Sequence, residues 1–310
     1  MALSITPRLI LAAAQRRGWQ TTVLDEATAL FQITLPDGRT YYIRNIMSHY
    51  GPGVNNLITQ RKDIFYKLAD KLGAQMPQTE VVTSLAQAEA FLDRYKKIVV
   101  KPADQSHGDG ITVNITAKPQ LKTALAHATK LSAVVLVQEQ ITGDDYRLLF
   151  IGGKLAAAAI REPASIIGDG QHTLAELMTT ENYNTLRGEG YDKTMTNIDV
   201  EAANTYLGDD LHTVPAAGQR IQVVGTANIG KGGVAIDVTD AVDPKLAAAA
   251  QKIVDHFRLG LAGVDYLVTP EGQAYLIEVN TVPSLGLHEY PALGQARHTP
   301  DIFLDWLTNN

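Results

Sequence analysis

The sequence predicts an α+β (α/β) protein, and three observations carry that expectation. Helical segments with clear start and stop signals alternate with short apolar strands through the middle of the chain. The last third turns to hairpins punctuated by glycine. The 310 residues, 45% of them apolar, are enough for a sizeable core and about two domain-sized units.

Thr6-Pro7 followed by RLILAAAQRRG reads as a helix with proline in its first turn and Gly18 as its stop. Short β-like segments follow at Thr21–Leu24, Phe31–Leu35 and, after the turn Pro36-Asp37-Gly38, Tyr41–Arg44. Gly51-Pro52-Gly53 breaks the pattern and marks a boundary. A helix over Lys62–Leu72 stops at Gly73, and Ser84 caps another that runs through Tyr95. The strand Ile98-Val99-Val100 leads into a glycine-bearing loop at 105–110, then strand Ile111–Ile115, a helix over Pro119–Leu131 and the apolar strand Val134–Val137. Gly152-Gly153 is a two-residue hairpin turn between Tyr146–Ile151 and Lys154–Ile160. A helix over Pro244–Leu259 precedes the hairpin Val264–Val268 and Ala274–Val279, and a last helix covers Asp301–Leu307.

Lys plus Arg number 27 and Asp plus Glu 33, a net charge of −6. That balance argues against a nucleic-acid partner but leaves room for a local basic cleft around a phosphorylated small molecule. Without cysteine there is no disulfide, thiolate nucleophile, iron–sulfur cluster or cysteine zinc site. No apolar run approaches the roughly 20 residues of a membrane span. The arginine-bearing N-terminal segment lacks a signal-peptide pattern, so the expectation is a soluble cytoplasmic protein with no membrane partner.

Several motifs carry no chemistry. Gly225 to Lys231 has the spacing GxxxxGK, but Gly232 stands where a P-loop needs Ser or Thr, and Val234-Ala-Ile-Asp-Val reads as a strand where a helix must open. The eight histidines show no metal-ligand spacing. His107 could touch phosphate and His288 a substrate, although each alone is more often a packing residue. No GxSxG elbow supports serine hydrolysis.

The strongest local signal is VDYLVTPEGQAYLIEVN, residues 264–280. Glu278 and Asn280 are two apart on a strand and share a face. If Thr269 faces Ala274 across a four-residue loop, Asp265 lies opposite Glu278. Two carboxylates pressed together repel unless a cation offsets them, and magnesium takes one or two carboxylates, an amide oxygen and substrate phosphates. A solvated sheet face is the equally weighted alternative. The second signal is KIVVKPADQSHGDGITVNI, residues 97–115. Lys101 ends a buried strand, where an amine needs an anion, and the glycines after it can turn backbone N–H groups toward phosphate. A plain surface turn explains the loop alone.

Taken in order, Lys62, Lys101 with its loop, the polar strand end near Gln138, Asp145, and then Asp265, Glu278 and Asn280 resemble the ATP-grasp superfamily. The likeness runs from about Thr59 to Leu307 and is greatest to the ATP-grasp modules of cyanophycin synthetases and bifunctional glutathione synthetases. It is carried by residues 145–177, the Asn184/Arg187-Gly188 stretch, TANIGKGGVAIDVTD (226–240) and IEVNTVPSLGLHEYPALGQAR (277–297). The resemblance implies an N-terminal α/β domain (1–58) before two α+β subdomains (59–142 and 143–310) that clasp ATP. It implies that Lys62 and Lys101 hold the α- and β-phosphates, and that Gln105, Ser106, His107 and Gly108 close over the γ-phosphate. Gln138, Glu139 and Ile141 would meet adenine, Gln138 standing where relatives usually have Glu, and Asp145 would meet ribose.

The same resemblance assigns Asp265, Glu278 and Asn280 to Mg2+, with Mn2+ as a substitute. It gives Arg161 and Arg297 a catalytic part at the substrate carboxylate or developing acyl phosphate. Two departures stand out: Val224 and Gly225 occupy positions where cyanophycin synthetases carry paired arginines, and the other catalytic parts of both relatives are missing from this sequence. Processive polymer growth is therefore not expected. The implied function is an ADP-forming carboxylate–amine ligase acting on an amino acid or small peptide. A small-molecule kinase and a non-catalytic nucleotide-binding module are the alternatives, and a homodimer is left open.

Overall fold

A computed structural model describes residues 3–48, 53–105, 109–184, 187–188, 195–225, 227 and 229–309. Its centre is a five-stranded antiparallel sheet in the spatial order Val234–Asp237, Lys154–Glu162, Asp144–Ile151, Leu261–Val268, Ala274–Asn280. The first hairpin in this sheet turns at Gly152 and Gly153, both with positive φ (62° and 72°), a conformation glycine adopts without steric cost. Alternation then decides what each face does. Leu148, Phe150, Ala158, Ala262 and Val264 pack under the helices Lys62–Asp70 and Pro244–His256. Leu149, Ala157 and Leu261 on the opposite face lie under the helices Ile5–Arg16 and Thr299–Thr308 and a three-stranded sheet (Gln20–Asp25, Leu30–Thr34, Thr40–Arg44). Two to four residues further along the same strands this second face emerges from its cover and becomes charged: Arg147, Arg161 and Asp265.

A four-stranded antiparallel sheet, ordered Thr79–Val82, Val135–Glu139, Ile98–Pro102, Thr112–Ile115, packs its own core against the helices Leu85–Tyr95 and Lys118–Leu131. Ser84 caps the first of these helices, its Oγ accepting from the Gln87 amide. A further small core forms between residues 164 and 224 around Ile166, Met178, Ile198 and Val223.

Most sequence expectations meet an element of nearly the same extent, and the differences have reasons. The helix Gly53–Gln60 is unforeseen because it starts within Gly51-Pro52-Gly53, read as a break, although Val54, Leu57 and Ile58 stand at helical spacing and Ile58 packs on the core. The strand Thr79–Val82 is an edge strand of four residues, too short to show alternation. The GxxxxGK look-alike ends in a 3₁₀ turn at Ile229–Lys231 followed by the strand Val234–Asp237, as its sequence implied. Among the described residues no helix is long and apolar enough to cross a membrane.

Candidate active site

The final hairpin places its acids by a route the turn alone does not reveal. Val268, not Thr269, faces Ala274, which on its own would shift Asp265 out of register with Glu278. Ile277 is bulged out between Asp265 and Tyr266, restoring the one-residue offset, so Asp265 pairs with Glu278 and Gly263 with Asn280. The expected pairing holds although the expected turn does not. The carbonyl of the bulged Ile277 accepts a hydrogen bond from the Tyr66 hydroxyl at 2.5 Å.

Strands distant in sequence complete the charged face. Arg147 lies opposite Asp265 and Arg161 opposite Asp145. Arg147 donates to both Asp265 oxygens, through Nε and through Nη2 (2.9 Å). Arg161 Nη2 reaches Asp265 Oδ2 at 2.9 Å and Asp145 Oδ1 at 2.5 Å. Burial pushes the Asp265 carboxyl up, but the Arg147 and Arg161 guanidinia prevail and hold it below the usual carboxylate range. Asp145 goes the other way, raised by burial that Arg161 offsets only in part. The repulsion foreseen between two bare acids is thus absent, because Asp265 is neutralised by arginine and Glu278 faces Lys62 at 3.5 Å.

The start of one helix and a strand of the four-stranded sheet bring two amines to the same place. Lys62 opens its helix beside the end of the Ile98–Pro102 strand, its amide donating to Ala103 O and its Nζ to Gln105 O at 2.7 Å. Lys101 is 3% exposed and donates to the Tyr66 hydroxyl and Gln138 Oε1, both at 2.8 Å. Burial lowers its pKa to about 8, with the Glu278 charge as partial compensation. Gln138 donates in turn to Thr79 Oγ1 at 2.7 Å. Its amide is thus engaged within the protein, as is Glu139, whose Oε1 accepts from the Gln78 amide.

Between the two sheets lies a cleft of about 990 Å³. Of the residues foreseen from sequence it is lined by Lys62, Lys101, Gln105, Gln138, Glu139, Ile141, Asp145, Arg161, Asp265, Glu278 and Asn280. Ser106, His107 and Gly108 lie outside the described residues. Arg297 is brought elsewhere: it does not line the cleft but pairs with Asp237 (2.5 Å) and Asp240 (2.7 Å). Arg147, Tyr66 and Thr79 escaped the sequence reading. The signal available for Arg147 was its spacing of two from Asp145, which sets both on one face. His288 is buried, neither ring nitrogen has a partner among the described residues, and burial followed by Arg147 lowers its pKa to about 3.

The donors suit a hard divalent cation in type: Glu278 offers a half-exposed carboxylate and Asn280 an amide oxygen one strand repeat away. Asn280 Oδ1 already accepts from the Val282 amide at 2.8 Å, and a second lone pair remains for a cation. Among the described residues no cluster of three His, Cys, Asp or Glu side chains could hold a metal, so phosphate oxygens or water must complete the shell.

Residues 67–182 match the family model described as prokaryotic glutathione synthetase, ATP-grasp domain. The chain is 33% identical over 251 residues to a cyanophycin synthetase of Trichormus variabilis, an alignment covering 77% of this chain and 28% of that protein. The chain belongs to the ATP-grasp superfamily. Within it, the glutathione biosynthesis bifunctional protein GshAB of Mannheimia succiniciproducens is 28% identical, over 95% of this chain and 41% of that one. A crystal structure of a bifunctional glutathione synthetase from Pasteurella multocida superposes with a TM-score of 0.72 at 26% identity, covering 99% of this ATP-grasp chain and 43% of the other. The chain therefore spans less than half the length of these three relatives.

Proposed function

We propose that this chain is an ADP-forming carboxylate–amine ligase that joins an amino acid or small peptide to an amine through an acyl phosphate, using ATP with Mg2+ (or Mn2+ in its place). The observation that carries the reading is the meeting of Lys62, at the start of its helix, and Lys101, on the four-stranded sheet, with Asp265, Glu278 and Asn280 of the five-stranded sheet across a single cleft. Its support from relatives is that both kinds, cyanophycin synthetase and glutathione synthetase, are synthetases by name.

In this reading ATP lies between the sheets with its phosphates at Lys62 and Lys101. Val99, Ile111, Val113 and Leu267 supply apolar walls for the base. Glu278 and Asn280, with Asp265 beside them, would hold the divalent cation, which would supply neutralisation of phosphate charge. A substrate carboxylate oxygen attacks the γ-phosphorus and ADP leaves. The amine, having lost its proton to solvent, then attacks the carbonyl carbon, and phosphate leaves with the former carboxylate oxygen. Such transfer is positioning plus charge stabilisation, which suits a cleft of fixed cations and no side-chain nucleophile. The acyl phosphate must be kept from water, a task for the closed cleft. Small-molecule substrates, a cytoplasmic setting and the division at 58/59 and 142/143 belong to the same proposal.

Two measurements follow. A pairwise screen of amino acids and dipeptides should give phosphate release only when acid and amine are both present, with ADP in equal amount. AMP and pyrophosphate would contradict the reading. The pH dependence of nucleotide binding should follow Lys101, whose amine binds an anion only when protonated. Affinity for Mg2+–ADP is then full below about pH 8 and falls as pH rises through it. Lys101→Arg, which stays charged, should flatten that decline in calorimetric titrations.

A further inference from the structure

The carboxylate of Asp265 is crowded. Of roughly four lone-pair positions on a carboxylate, Arg147 takes one on each oxygen and Arg161 takes another on Oδ2. A divalent cation that joins Glu278 and Asn280 next to this group would bring a third positive charge against one buried acid. With one position left on Asp265, the cation would sit against two guanidinia, and release of one relieves the crowding.

The two arginines are not held alike. Arg147 forms a two-pronged pair with Asp265, is 5% exposed, and passes close to Gly263. A Cβ on Gly263 would stand 3.0 Å from Arg147 Cδ and 3.1 Å from Pro283 Cβ, so the arginine stem runs closely over this glycine. Both arginines line the cleft, but Arg161 touches Asp265 through a single nitrogen. It has a second anchor, Asp145, which accepts from both its Nη2 (2.5 Å) and its Nε (3.2 Å). Losing Asp265 would leave Arg161 tethered and still charged, whereas Arg147 has no other acid in contact among its described partners.

We propose that Arg161 is an exchangeable counter-ion: the divalent cation arriving with nucleotide displaces it from Asp265, and the guanidinium, still pivoted on Asp145, takes the carboxylate of the acid substrate. This rests on the ligase reading of the cleft. The exchange makes the two binding events help each other, because the cation frees the group that the acid requires, and linkage makes that help reciprocal. A planar two-pronged donor also suits a carboxylate better than an ammonium would.

The test is a binding measurement on the full chain with Mg2+ and a non-hydrolysable ATP analogue. If Arg161 competes with the cation, Arg161→Gln should lower the Mg2+ concentration for half-maximal analogue binding by roughly fivefold, the low end of ordinary coupling between sites. Arg161→Lys, which cannot span both acids, should shift it in the same direction and serves if the glutamine variant fails to fold. Arg94→Gln, an exposed loss of charge on the Leu85–Tyr95 helix, should leave the midpoint unchanged. A midpoint unchanged or raised in both Arg161 variants overturns the exchange while leaving the ligase reading intact. Failure of the unaltered chain to bind the analogue at any Mg2+ concentration removes the ligase reading itself, and the exchange with it.

Discussion

Glu278→Gln should cut turnover by two or more orders of magnitude while leaving the fold intact. Of the facing pair Asp265 and Glu278, Glu278 has no guanidinium in contact among the described residues and faces Lys62 at 3.5 Å, so its charge is available to a cation. Losing one preorganised charge-stabilising group typically costs about a hundredfold to a thousandfold in rate. Its side chain is one-third exposed, so the amide brings no buried penalty. Steady-state turnover beside a thermal melt separates the two effects. Near-normal turnover in a folded variant would remove Glu278 from the site.

Arg147→Met should be the most destabilising substitution in the cleft. It strands Asp265, which is 2% exposed, with only the single Arg161 contact. Removing one partner of a buried ion pair costs about 3–5 kcal/mol, and the remaining arginine places the expectation at about 3 kcal/mol. Adding Asp265→Leu should recover most of that loss, because two apolar groups replace two compensated charges. Urea titration of the single and double variants reads this directly. A double variant no more stable than Arg147→Met would mean that the pair is not what holds this region.

Much of the site was legible because its parts are local. Glu278 and Asn280 share a face by strand alternation, and Lys101 betrays itself as a cation at the end of an apolar strand. The Asp265–Glu278 pairing was legible only by compensation, since the actual turn register and the bulge at Ile277 offset each other. A bulge leaves no mark in composition. Arg147 was hidden because its partner is 118 residues away, on a strand that becomes its neighbour only when the sheet assembles. Arg297, which the resemblance placed at the substrate, is received instead by Asp237, 60 residues earlier on the opposite edge strand. The region between 164 and 224 offered few elements because its strands are two or three residues long.

The central claim is that a carboxylate oxygen leaves as part of phosphate. The measurement is an isotope balance with the acid identified by the amino-acid screen, its carboxylate enriched in heavy oxygen and supplied with amine and ATP. The account predicts one labelled oxygen in each released inorganic phosphate, with ADP accumulating in equal amount. Unlabelled phosphate, or a stable phosphorylated product that no amine displaces, would contradict it.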